Sequence, residues 1–385
     1  MTQVIFTERC DYMKVIAAID SFKGSMTSME AGNAVKKGIL AAKPDAEVVV
    51  NPLADGGEGT VDALIEGLGA EKIPVTVAGP LGEKVSCYYG FLEETKTAVM
   101  EMASAAGITL VTKKDPLRAS TYGVGEMIAD ALKRGCKNFM IGIGGSATND
   151  GGIGMLKALG FEFFDEDGND VGEGAAALAK IEVIRTENKN PLLSGAKFQI
   201  ACDVKNPLCG KQGATYIFGP QKGVTEEQKE QVDEAMRHSA DVTKESLDCD
   251  FADCEGAGAA GGLGYAFLSY LAGELIPGVE LILHATGLEE KMKNADVVVT
   301  GEGRLDAQTV MGKAPVGVAA LAKKYNAKVI AFAGSVAPEA SVCNQAGIDA
   351  FFPIVRGVTT LEEAMKKENA MENIAATAEQ VFRLL

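Results

Sequence analysis

After its lysine, the stretch KVIAAI (residues 14–19) is a continuous apolar run with no polar alternation, the mark of a strand covered on both faces. Such strands belong to parallel sheets flanked by helices, so this run constrains the fold more than any other feature of the chain. The next sixty residues agree with it. TSME (27–30) is a capping box that predicts a helix to about Ala42, stopped by Pro44. EVVV (47–50) is the next strand, and NPLADGGEGT leads to a helix through VDALIEGL that Gly69 can cap. Strand, helix, strand, helix is the βαβ signature of an α/β domain.

The rhythm then changes. From KIPVTVAGPLGEKVSCYYGF to about Met102 the apolar residues alternate with period two, and GPLG supplies a turn, which predicts antiparallel strands. KFQIACDVKNPLCG (197–210) reads as a strand running into a polar loop, and a charged helix covers 225–247. From about residue 285 the βαβ rhythm returns in ADVVVTGEG, APVGVAALAKKY, AKVIAFAGSV and DAFFPIV. A chain of 385 residues is also longer than one core usually supports. The expected architecture is α/β: a discontinuous Rossmann-like, doubly wound domain (13–80 and 285–385) with a second α/β domain inserted at 81–284. A linear split near residue 190 is the alternative.

Composition excludes several functions. A net charge of −16 argues against nucleic acid and anionic membrane surfaces as partners, though not against an anionic small substrate held in a local cationic pocket. Eight cysteines contain no C-x-x-C pair, and Cys249 and Cys254 in CDFADC read as unrelated thiols rather than a redox or metal pair. Two histidines exclude a histidine-rich metal site, and neither neighbours a nucleophile elbow. The first twelve residues lack a cleavable apolar segment, and GAGAAGGLGYAFLSYLAG (256–273) is too glycine-rich for a membrane span, so a cytoplasmic protein is expected.

Chemistry concentrates in loops at the ends of the strands: DSFKGS, ADGGEGT, GGSATNDGG, CDVKNP and TGEGRLDAQT. In open parallel sheets the ligand crevice lies at the strands' carboxyl ends. GIGGSATNDGG (142–152) admits two readings. Gly142, Gly144 and Ala147 match G-x-G-x-x-A, with Asp165 some twenty residues on as a ribose-binding acid, the pattern of an NAD(P)-dependent dehydrogenase. Asp150, however, would then face a pyrophosphate with no metal between them. Phosphoryl transfer explains the same residues better, because glycine-freed N–H groups and hydroxyls cradle phosphate oxygens while a carboxylate holds Mg²⁺. A purely structural glycine cluster is the bland alternative. No Walker A motif and no protein-kinase signature set occurs.

Taken together, IAAIDSFKGSMTS, NPLADGGEGT, GIGGSATNDGG, CDVKNPLCG with GATYIFGPQKG, GAGAAGGLG and TGEGRLDAQT resemble the bacterial type 1 glycerate kinase family, in order from about Met13 to the C-terminus. The resemblance implies a MgATP-dependent kinase acting on D-glycerate, built of two α/β domains with the active site in the cleft between them. It also favours 2-phosphoglycerate over 3-phosphoglycerate as product. It does not say which residue does what, and it leaves open whether the chain works as a monomer or a homodimer.

Roles are assigned from chemistry. Gly144, Gly145, Ser146, Thr148, Asn149, Gly151 and Gly152 are expected to bind the nucleotide phosphates, with Asp150 and Glu302 as metal ligands. Ser21, Lys23, Gly56, Gly57 and Arg304 are expected to bind substrate. Lys23 competes with the ordinary fate of a solvated loop lysine. Asp55, Asp150, Asp203 and Asp306 are the carboxylates available to handle the substrate hydroxyl. Asp55 competes with helix capping, and Asp306 with an ion pair to Arg304. Asp203, directly after the rigid strand FQIA, is the expected base, with Asp55 second and Lys23 as the catalytic cation. GAGAAGGLG reads as a tight-packing segment or as a pocket wall.

Overall fold

The computed structural model describes residues 12–54 and 60–385, and these form two compact units. One unit comprises the residues up to 54 together with 283–385; the other comprises 60–282. The chain enters the first unit with β1 (Lys14–Ile19) and β2 (Glu47–Pro52). In the second it forms β3 (Glu71–Ala78), β4 (Lys84–Leu92), β5 (Thr97–Glu101), β6 (Asn138–Gly142), the antiparallel pair β7 (Glu162–Phe164) and β8 (Val183–Arg185), then β9 (Lys197–Ala201) and β10 (Glu274–Ile276). It returns to the first unit with β11 (Val297–Leu305), β12 (Lys328–Val336) and β13 (Ala350–Pro353).

The first unit holds a five-stranded, wholly parallel sheet in the order β13-β12-β11-β1-β2. Val15–Ile19 are fully buried, which is why the sequence there cannot alternate. On one face the helix Ser28–Ala42 packs against the helix Lys367–Phe382 so closely that a Cβ on Gly38 would lie 2.0 Å from the Ala375 carbonyl oxygen. The capping box forms as expected: Glu30 Oε2 accepts from the Thr27 N–H, and Thr27 Oγ1 accepts from the Glu30 N–H. Numbered within the unit, the strands run 2-1-3-4-5, a doubly wound order whose direction switches between β1 and β11. The loops leaving these two strands therefore part to opposite faces and open a crevice at their carboxyl ends.

The second unit has a six-stranded mixed sheet, β10-β9-β6-β5-β4-β3. β3, β4 and β5 are antiparallel, as the period-two pattern predicts, and β5, β6, β9 and β10 are parallel. Phe139 and Phe198 stack in its core with ring centroids 4.7 Å apart. The unit begins earlier than the boundary at residue 80 read from the sequence. β3 pairs with β4 along its full length, from Glu71–Phe91 to Ala78–Lys84, and the helix Thr60–Leu68 packs on β4 and β5. Those backbone hydrogen bonds tie the stretch before residue 80 to the antiparallel sheet.

Candidate active site

At the switch point of the first unit Asp20, Ser21 and Lys23 follow β1, and Glu302, Gly303 and Arg304 lie in the carboxyl-terminal part of β11. These residues line one cavity of about 440 Å³, together with Asp306, Lys313 and Ser335. Asp20 is 5% exposed; its backbone N–H donates to the Gly301 carbonyl and its Oδ1 accepts from the Ser21 N–H at 2.7 Å. Glu302 is 8% exposed, accepts from the Thr309 hydroxyl at 2.7 Å and lies 3.6 Å from the Lys313 ammonium. Burial pushes its carboxyl above the usual range, against the pull of Thr309 and Lys313. The exposed Arg304 sits 3.5 Å from the half-buried Asp306 in an ion pair, the competing role that the sequence offers Asp306. The opposite wall is apolar, formed by Ile354, Leu361 and Met365 among others.

The second unit carries its own cavity, of about 350 Å³, at the carboxyl ends of the adjacent strands β6 and β9. Gly144, Gly145 and Ser146 form one side, Cys202 and Asp203 another, and Lys222 and Ala260 a third. A Cβ on Gly144 would meet nothing within 4 Å, so packing does not demand glycine there, whereas close approach of a ligand would. Asp203 is exposed, and its Oδ1 accepts from the Gly278 N–H at 2.9 Å, which fixes the carboxylate at the strand end. Ala260 adopts a left-handed φ of 53°, local strain at the cavity wall.

The rest of the glycine loop turns inward. Thr148 and Asn149 are fully buried; the Asn149 amide donates to Thr215 Oγ1 at 3.0 Å, while Thr148 Oγ1 and Asn149 Oδ1 have no partner among the described residues. Gly152, at φ 79°, leaves only 2.4 Å between an added Cβ and Ala266 Cβ, so it is required by packing. Gly151, at φ 62°, supplies a turn. Asp150 corrects the metal assignment. It is fully buried, and its carboxylate accepts from Thr121 N (2.8 Å), Thr121 Oγ1 (2.8 Å), Gly152 N (3.1 Å) and Gly154 N (3.3 Å). Burial raises its pKa and those four donors lower it, burial being the larger effect. A carboxylate so enclosed holds the first-turn N–H of Gly154 in the short helix Ile153–Ala158 and is committed to the loop's structure rather than to an ion.

Lys222 falls in GATYIFGPQKG, one of the segments that carry the resemblance, but a lysine at a helix end gives no sign of burial in the sequence. It is 2% exposed, donates to the Thr148 carbonyl at 2.6 Å, and is pushed down to about 7 by burial, with Asp150 pulling the other way. GAGAAGGLG does both things expected of it. Cβ atoms on Gly258 and Gly261 would each lie 2.2 Å from a backbone carbonyl oxygen, while Ala259 and Ala260 line the cavity. Asp55, Gly56, Gly57 and Glu58 lie outside the described residues.

Residues 15–385 match the model of the glycerate kinase family. The chain belongs to that family. A glycerate kinase of Bacillus subtilis (strain 168) is 45% identical over 96% of this chain and 97% of its own length. The glycerate 2-kinase of Escherichia coli (strain K12) is 45% identical over 95% of this chain and 98% of its own. Among solved structures, a chain designated glycerate kinase 2 from Salmonella typhimurium LT2 superposes with a TM-score of 0.89 at 42% identity, covering 97% of this chain and 98% of that one.

Membership in the glycerate kinase family removes the dehydrogenase alternative, and the local geometry agrees. A dinucleotide fingerprint must open a helix directly, so that its N–H groups meet the pyrophosphate. Here Ser146 instead bridges to Gly107, and no helix starts until Ile153. Asp165, the ribose acid of that alternative, accepts from the N–H groups of Asp167 (3.1 Å) and Asn169 (2.8 Å) in its own turn. Among the described residues no helix is long and apolar enough to cross a membrane.

Proposed function

We propose that the protein transfers the γ-phosphoryl group of MgATP to D-glycerate in the cytoplasm, giving 2-phosphoglycerate and ADP. The observation that carries the reading is the switch-point cavity, where the cations Lys23, Arg304 and Lys313 meet the buried acid Glu302. Family membership supports the reaction, and the name of the Escherichia coli relative supports the 2-hydroxyl as acceptor. Such transfer is mostly positioning and charge neutralisation. Ser21, Lys23 and Arg304 suit the glycerate carboxylate. Gly144, Gly145 and Ser146 offer backbone N–H groups and a hydroxyl to phosphate oxygens, and Asp203 orients the attacking hydroxyl and takes its proton.

Among the described residues no three acids, cysteines or histidines gather as a metal cage. That fits Mg²⁺, which keeps most of its water and needs only one or two carboxylates beside the nucleotide phosphates. Glu302, with Asp20 in the same cavity, fits that demand, and the ion when bound neutralises charge on the phosphates. The purified protein is expected to release ADP with D-glycerate and MgATP, and EDTA should abolish the rate. Adding enolase without a mutase should then yield phosphoenolpyruvate. Turnover that survives rigorous chelation would overturn the magnesium role, and a signal requiring phosphoglycerate mutase would identify the 3-isomer.

Lys23→Ala should raise the KM for glycerate or lower kcat by about tenfold or more, the scale of one charge-assisted contact of ~1.5–3 kcal/mol. Wild-type kinetics in that variant would return Lys23, which is exposed, to the role of a solvated loop residue.

A further inference from the structure

We propose that Lys222 is the anion-binding residue of the second unit's cavity, held ready by the carbonyl of Thr148 and completed by a phosphoryl or carboxylate oxygen of a reactant. The proposal deepens the kinase reading and rests on it for the identity of the reactants. An ammonium group has three donors. Among the described residues that of Lys222 finds one acceptor, the Thr148 carbonyl oxygen at 2.6 Å, although the side chain is 98% removed from solvent. The open space it borders is the cavity lined by Gly144, Gly145, Ser146 and Asp203. A buried ammonium with two unused N–H donors beside exposed loop backbone is an incomplete ion site, and an anion completes it.

The surroundings decide what kind of site this is. Asp150 is a buried carboxylate whose charge acts on Lys222, but its oxygens accept from Thr121, Gly152 and Gly154, while the Lys222 ammonium donates to the Thr148 carbonyl. Asp203 and Cys202 are the other titratable groups on the cavity wall; the Asp203 carboxylate accepts from Gly278, and burial pushes the Cys202 thiol up. No protein carboxylate among these pairs directly with the ammonium. Burial holds Lys222 down to about 7, so above that pH the empty site holds a largely neutral amine. An arriving anion restores the charge, and binding must then take up a proton.

The experiment is calorimetry at about pH 8 in buffers of different ionisation enthalpy. D-glycerate and a non-hydrolysable MgATP analogue are titrated separately. For one of the two, binding to the wild-type protein should take up close to one proton. Lys222→Met should lose that uptake and weaken the same ligand by about tenfold or more. Lys222→Arg, charged throughout, should retain most of the affinity without proton uptake, and it keeps the test decisive should the methionine variant fail to fold. The analogue responding identifies a phosphoryl anion; glycerate responding identifies the carboxylate. Wild-type binding of both ligands without proton uptake, with affinities unchanged in Lys222→Met, would overturn the proposal. If the wild-type protein turns over glycerate under that outcome, the kinase reading stands and only the role of Lys222 falls.

Discussion

Asp203→Asn is expected to lower kcat by about 10²-fold or more while Mg-nucleotide binding persists. The carboxylate stands at the carboxyl end of β9, next to a strand whose backbone hydrogen bonds to β6 and β10 fix its position. It is exposed to the cavity that also holds Gly144, Gly145 and Ser146, and Gly278 N–H donates to its Oδ1 at 2.9 Å. One oxygen is thus anchored and the group is held in orientation, which is what a positioned proton acceptor requires. Asparagine keeps the shape and, with its oxygen toward Gly278, the anchor; it removes the basic oxygen. The measurement is steady-state kcat beside calorimetric binding of a non-hydrolysable ATP analogue. Loss of Mg-nucleotide binding would make Asp203 a metal ligand, and an unchanged kcat would make it structural.

A residue's fate is legible in the sequence when its chain neighbours set it, and hidden when distant residues do. The uninterrupted run at Val15–Ile19, the capping box of Thr27 and Glu30, and the alternation of β3 and β4 are local signals, and each leads to the element observed. The domain boundary is harder. Only strand partnership reveals that the stretch before residue 80 pairs forward into the antiparallel sheet. The site divides in the same way. Gly144, Gly145, Ser146 and Asp203 share a cavity because β6 and β9 are neighbours, a consequence of parallel strands that chain order suggests. The burial of Lys222 depends on the Thr148 carbonyl, 74 residues away, and lysine is among the residues least expected inside a protein. Asp150 misleads for the same reason. In sequence it is an acid in a glycine loop; in the fold Thr121 arrives from 29 residues away and takes its carboxylate.

That difference between an ion ligand and a structural acid has a large expected effect. Asp150→Ala should destabilise the second unit by about 3–5 kcal/mol, the scale of removing a buried carboxylate and stranding its partners. Four donors lose their acceptor: the Thr121 N–H and hydroxyl and the N–H groups of Gly152 and Gly154. The site is fully buried, so water cannot readily replace the carboxylate. The Thr121 hydroxyl also accepts from the Met155 N–H at 2.9 Å, which couples the loss to the first turn of the helix Ile153–Ala158. Asn is not a mild substitute, because its NH₂ would face one of the N–H donors. For a domain of about this size the loss corresponds to a fall of roughly 10 °C in Tm, read by calorimetry or circular dichroism. Mg²⁺ dependence, measured on the fraction that remains folded, should match the wild type. An unchanged Tm together with a weakened Mg²⁺ requirement would restore Asp150 as a metal ligand, and the carboxylate would then carry less of the fold than its four hydrogen bonds indicate.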